Sequence, residues 1–184
     1  MARPDTRTRI LDTALRLFLT RGSEGVAVTA IEEGAGLSPG SGSFYRHFRS
    51  KEDVLAAVVD REVDRAAERR VVPGSEDLAG DYVASLAALD ELRPLIGLLI
   101  REGARLPHLE RVRDVLAEQG ARLDADVLAA RMAAGEIPQR DPEAVASVVL
   151  YALVGHHLAA SFFGGPVGVD RERFAAALAA MVES

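Results

Sequence analysis

The sequence predicts an all-α chain of about nine helices, four short ones followed by five longer ones. Three observations carry that prediction. Nearly half of the 184 residues are hydrophobic but only 5% are aromatic, so Ala, Leu and Val must fill the core, and Ala and Leu are strong helix formers. Apolar residues recur at helical spacing, with no alternating strand pattern, internal repeat or low-complexity tract. Gly, Pro and capping residues fall between those periodic stretches, where helices start and stop.

Taken in order, the first helix covers about residues 5–21: Ile10, Ala14, Leu17 and Phe18 share a face, and Gly22 stops it. A short second helix over about 28–34 turns Ile31 and Ala35 inward. A Gly/Ser/Pro turn follows over 36–42, then a third short helix over 43–48. Ser50, with Asp53 three residues on, makes a capping-box-like S-x-x-D for a fourth helix carrying Val54, Leu55 and Val58 to about residue 70. Ser75 caps the next, to about residue 92, and Pro94 suits the first turn of one ending near Gly103. Pro107 opens a long segment to about 134, with Gly120 as a kink. Asp141-Pro142 opens another to about 163, and Asp170 caps the last, with Phe174, Leu178 and Met181 on one stripe.

Several function classes are disfavoured at once. Without Cys there is no disulfide framework, thiolate metal site or cysteine nucleophile. Neither H-E-x-x-H nor G-x-S-x-G occurs, and adjacent His156 and His157 project about 100° apart on a helix, too far to share a metal. No metal, no cofactor and no enzymatic activity are expected. The N-terminus lacks the apolar core of a signal peptide, and His156, His157 and two serines interrupt the apolar stretch near 145–163. A soluble, cytoplasmic protein with no membrane partner is expected. The net charge of −6 is unevenly spread: residues 1–51 hold eight basic and five acidic side chains, the remainder 14 and 23. That asymmetry suggests a polyanion-facing end on an acidic body.

The turn before Phe44 can be read two ways. Gly40 and Gly42 form a lone G-x-G without the preceding strand or the Gly-Lys-Ser/Thr of a phosphate cradle. A helix-turn-helix needs a short helix, a glycine-bearing turn and a second helix whose early residues reach base edges, and residues 28–48 supply all three. Ser41, Ser43, Tyr45, Arg46 and His47 are phosphate or base-edge partners, and Lys51 would join its helix N-terminus in meeting a phosphate. Phe44 and Phe48, at i and i+4, point into a core, leaving Tyr45 and His47 off that face.

"RILDTALRLF" (9–18), "AGLS" (35–38), "FYRHF" (44–48) and "SKEDVL" (50–55) together resemble the DNA-binding domain of TetR/AcrR transcriptional regulators, over roughly residues 7–58. "PLIGLLIREGARLPHL" (94–109) is similar to a segment some members place at the joint of two core helices. The resemblance implies a helix-turn-helix domain over 1–55 and a ligand-binding and dimerisation domain over 56–184. It implies a homodimer on a double-stranded DNA operator, most often a repressor released by a small-molecule effector. Two departures stand out. Six residues, not the usual four, separate Ser38 from Tyr45, and Val26 and Ala27 replace the usual capping Thr or Ser, for which Thr29 can substitute.

In the larger domain, Glu102 falls inside the stripe of Leu95, Leu98, Leu99 and Leu106, where it needs an arginine partner or a ligand group. With Tyr82, Tyr151 and His156 it makes up the candidate cavity lining. The same four residues are the opening for a rival reading, a helical-bundle ligand carrier or enzyme whose N-terminal helices are only structural. The helix from about 142 is apolar almost all round and needs protein on every side. Its small residues Val148, Ala152, Gly155 and Ala159, with Phe174, Leu178 and Met181 of the last helix, are the expected dimer interface.

Overall fold

The structure, a computed structural model, describes residues 5–68, 77–165 and 168–184, without the side chains of 117–120 and 123. The described residues form nine α-helices and no strand. The chain divides into two compact units, Met1–Arg65 with Pro94–Val112, and Ala66–Arg93 with Arg113–Ser184. They do not coincide with a single break after residue 55.

In the first unit, α1 (Thr6–Arg21) starts where Asp5 accepts the Thr8 N–H at 2.8 Å and ends where Gly22, at φ 73°, returns its N–H to Phe18. It packs on α2 (Val28–Gly34), which starts at Ala27 with no side-chain cap. Ile10, Ala14, Phe18, Ile31, Phe44, Val54 and Val58 form a sealed core. α3 (Lys51–Glu68) opens on the expected box: Ser50 Oγ accepts the Asp53 N–H and Asp53 accepts the Arg49 N–H, both at 3.1 Å.

The expected third short helix over 43–48 is present only as a 3-10 helix, Phe44–Arg46, with one α-type bond from the Phe48 N–H to the Phe44 carbonyl at 3.1 Å. Gly40 and Gly42 both sit at φ 75°, outside any right-handed helix, so helical hydrogen bonding cannot begin before Ser43.

α5 (Arg93–Glu102), a 3-10 turn (Gly103–Arg105) and α6 (Leu109–Arg113) complete this unit, buried through Leu95, Leu98, Leu106 and Val112. Arg111 pairs with Asp60 and, at 3.0 Å, with Asp64 of α3, and Arg61 pairs with Asp12 at 2.7 Å.

The second unit contains α4 (Leu78–Glu91), α7 (Gln119–Ala134), α8 (Pro142–Phe162) and α9 (Arg171–Glu183), with α4 against α8 and α9, and α7 against α8. Asp77 caps α4 through the Gly80 N–H at 2.6 Å; the expected cap Ser75 lies outside the described residues. Asp141 and Asp170 cap α8 and α9 as their sequences dictate. The segment opened by Pro107 is helical without interruption over 109–134, and it holds a π-helical turn over Asp114–Glu118, where a wider turn absorbs an extra residue.

Candidate functional site

Two buried rings fix the polar stretch of the first unit. Phe44 and Phe48 sit in the core with centroids 6.1 Å apart, and the Arg7 guanidinium lies 5.0 Å over the Phe48 ring. With both rings held, the residues between them must project outward. Tyr45 is 62% exposed, its ring edge-on to Phe44, and Arg46 and His47 are exposed beside it. Thr29 and Ser41 are also exposed, and Ser43 is half-buried with its hydroxyl 2.8 Å from that of Ser41. Lys51 opens α3, its ammonium 3.5 Å from the Glu24 carbonyl, a contact too long to restrain it. These seven residues therefore come from α2, the turn, the 3-10 turn and the start of α3.

Sequence reasoning missed what holds the turn. Glu32 is buried, and its Oε2 accepts the Gly40 N–H at 2.8 Å, tying the loop to α2. A glutamate beside Ile31, just before a glycine-rich turn, was the available signal.

The four residues expected to line a cavity do not converge. Glu102 is buried in the first unit, where its two oxygens accept the Ser23 N–H and hydroxyl, each at 2.7 Å. Its partner is thus neither an arginine nor a ligand but the turn after α1, and Ser23 carries no sequence pattern that announces the contact. Tyr151 is 71% exposed on the outer side of α8. Tyr82 is buried, and among the described residues its hydroxyl has no hydrogen-bond partner. Burial, helped by the Asp124 and Asp81 carboxylates, pushes its phenol well above the ordinary range. Burial and the Asp81 charge likewise push Asp124 up to about 6.

His156 does reach a cavity. Its ring stacks on Phe174 at 4.2 Å, and it lines a half-open space of about 270 Å³ within the second unit. Asp90, His157 and Arg171 share that wall. His157 Nδ1 lies 3.3 Å from Asp90, and Arg171 pairs with the other Asp90 oxygen.

The expected interface residues split. Val148 and Met181 are strongly exposed, Gly155 is exposed, and Ala152, Ala159 and Phe174 are half-buried. Leu178 is the correction: it is buried with Ala175, Ala179 and Val182 on the inner face of α9, so Phe174, Leu178 and Met181 are not one outward stripe. By length and composition alone, α8 is apolar enough to cross a membrane, although Ala146, Val149, Leu153 and His157 are buried inside the unit.

Residues 10–58 match the family described as bacterial regulatory proteins, tetR family. The HTH-type transcriptional regulator UidR of Escherichia coli (strain K12) is 33% identical over 109 residues, which are 56% of this chain and 55% of that protein. The chain thus spans about half the length of the curated relatives it matches. A TetR transcriptional regulator from Chloroflexus aurantiacus J-10-FL has the same fold at TM-score 0.72 and 25% identity, covering 96% of this chain and 93% of that one. Residues 10–58 are thus a tetR-family segment. AibR, solved with isovaleryl coenzyme A and operator DNA, shares the fold at TM-score 0.67 and 21% identity over 97% of this chain and 98% of its own. The segment that matches the tetR family holds Thr29, Ser41, Ser43, Tyr45, Arg46, His47 and Lys51 together with the two buried rings that present them.

Proposed function

We propose that this chain is a tetR-family regulator, a cytoplasmic, ligand-responsive transcriptional repressor and not an enzyme. It binds a double-stranded operator as a homodimer and is released by a small molecule. The carrying observation is the exposed Tyr45-Arg46-His47 run, pinned between buried Phe44 and Phe48 inside the family-matched segment. An exposed tyrosine beside two exposed basic-capable groups suits a groove and its phosphates better than bulk water. Arg46 and Ser43 are the base readers in this reading. Lys51, with the N–H groups opening α3, meets a phosphate. The outward apolar residues of α8 and α9 support pairing with a second copy. AibR, with its acyl coenzyme A and operator, is a precedent for one fold holding both kinds of ligand. The dispersal of Tyr82, Glu102, Tyr151 and His156 weighs against the carrier or enzyme alternative.

The test is a titration against random and genomic duplex DNA at several salt concentrations. The expected result is binding whose affinity falls steeply with salt, with a tighter subset of sequences. Absence of duplex binding at low salt would overturn the reading.

A further inference from the structure

Between the end of α2 and buried Phe44 the chain crosses open surface. Ser38, Pro39, Gly40 and Ser41 are all exposed, and a Cβ placed on Gly40 or Gly42 would meet nothing within 4 Å. Side-chain packing therefore does not set the path of these residues. Some of their hydrogen bonds stay inside the turn: the Ser41 N–H reaches the Ser38 carbonyl at 3.2 Å, and the Ser41 and Ser43 hydroxyls meet at 2.8 Å. Among the described residues, one bond ties residues 38–41 to the body of the unit. It runs from the Gly40 N–H to Glu32 Oε2, at 2.8 Å.

For stability this is a poor arrangement. Glu32 is 2% exposed, and among the described residues its second oxygen, Oε1, has no hydrogen-bond partner. A buried carboxylate with an idle oxygen costs stability against an apolar side chain of the same length. Stability alone thus favours methionine here. What glutamate adds is an acceptor at one fixed point of the turn. From that point the constraint has a short way to travel. Gly40 precedes Ser41, whose Oγ accepts the Ser43 N–H at 3.4 Å, and Ser43 leads into the 3-10 turn that carries Arg46.

We infer that Glu32 is a positioning residue for sequence reading: by holding Gly40 it sets where Ser41 and Ser43 stand against the bases. Phosphate binding through Lys51, at the start of α3, does not depend on it. The inference rests on the operator-binding reading above.

Selection from a randomised duplex library tests it without a known operator. Wild-type protein should enrich a definite set of sequences. Glu32→Met keeps the length and burial of the side chain and removes the acceptor. It should melt at or above the wild-type temperature and bind the unselected library with wild-type affinity and salt slope. Its preference for the enriched set over the unselected library should be about tenfold weaker than that of the wild type. Glu32→Gln retains an acceptor oxygen at the same reach and should keep the wild-type preference. Amide hydrogen exchange reports the bond itself: the wild-type Gly40 N–H should be protected beyond its exposed neighbours, and Glu32→Met should lose that protection.

An unchanged preference in Glu32→Met would overturn the assignment. So would equal weakening toward enriched and unselected duplexes, a Glu32→Gln protein that behaves as Glu32→Met, or a wild-type Gly40 amide that exchanges as fast as its neighbours. A Glu32→Met protein that fails to fold would also overturn it, because the glutamate would then be structural. If the wild type bound no duplex, the regulator reading would fall together with this role; enrichment by the wild type with any of the other outcomes would remove the role of Glu32 alone.

Discussion

The two units leave different things unfinished. Among the described residues, the first exposes only Tyr45 and Ile100 as large hydrophobics, and Tyr45 stands among basic and hydroxyl side chains. The second exposes Val148, Tyr151, Phe162, Phe163, Val169 and Met181, nearly all on or next to α8 and α9. Their interiors do not divide the same way. Buried Glu102 and Glu62 of the first unit are held by Ser23 and by Arg61 with Arg65, yet among the described residues buried polar atoms without a hydrogen-bond partner occur in both units: Arg9 Nε, Glu32 Oε1 and Arg61 Nη2 in the first, the Tyr82 hydroxyl and His157 Nε2 in the second. A polar unfinished surface suits a reader of a charged polymer, and an apolar one suits a body that pairs with a copy of itself.

The strongest way to break that contrast is to put a charge on the apolar face. Val148→Arg lies on exposed surface, so the protomer should keep its fold. Sedimentation should change from dimer to monomer, and operator affinity should fall roughly a hundredfold or more once two half-site contacts no longer act together. A variant that still sediments as the wild type would remove the face from the interface.

Next comes the Glu102 contact inside the first unit. Glu102→Ala strips Ser23 of two charge-assisted acceptors at once and should cost about 2–4 kcal/mol in chemical denaturation. A loss below about 1 kcal/mol would mean that the contact is incidental.

The second unit should answer in the opposite direction. Asp124, ordinarily near 3.8, is pushed up to about 6, so the folded chain binds its proton more tightly than the unfolded one. Stability from this group is therefore greatest below pH 4 and is lost as pH rises from about 4 to 6. Asp124→Asn should flatten that slope and add about 2 kcal/mol at neutral pH. An unchanged pH profile would contradict the burial argument.

The smallest effect belongs to Lys51→Ala. Binding should weaken alike for all duplexes, with a salt slope flatter by about one unit per protomer. Loss confined to a single operator base pair would move Lys51 from the phosphate to a base.

Helix placement was largely legible. The caps at Ser50, Asp141 and Asp170 act within a few residues of chain, and so does the stop at Gly22. Phe44 and Phe48 were legible as core because two large rings one turn apart have one place to go. The recognition stretch is helical where residues 43–48 were expected to be, but as a 3-10 turn over Phe44–Arg46, a tighter winding that the sequence pattern did not distinguish. Leu178 was misassigned for a related reason. A stripe at i, i+4 and i+7 spans an arc of about 60° on a helix, and Leu178 lies at the edge of that arc beside buried Ala175, Ala179 and Val182; periodicity alone does not say which edge a neighbour covers.

By itself, then, the sequence determined the all-α class, most helix ends and the order of aromatic, basic and hydroxyl groups that resembles a DNA reader. These follow from backbone sterics, local capping and hydrophobic period, all of which act over one or two turns. Only the tertiary structure decided that Glu102 serves Ser23, that Glu32 ties down the turn through Gly40, and that His157 and Arg171 both face Asp90. The Glu102 and Asp90 contacts join residues 67 to 81 positions apart, whereas the Glu32 bond spans only eight and depends on the path the glycines give the turn. Such pairings depend on how helices pack and where a loop is drawn in, which no local pattern of side chains encodes.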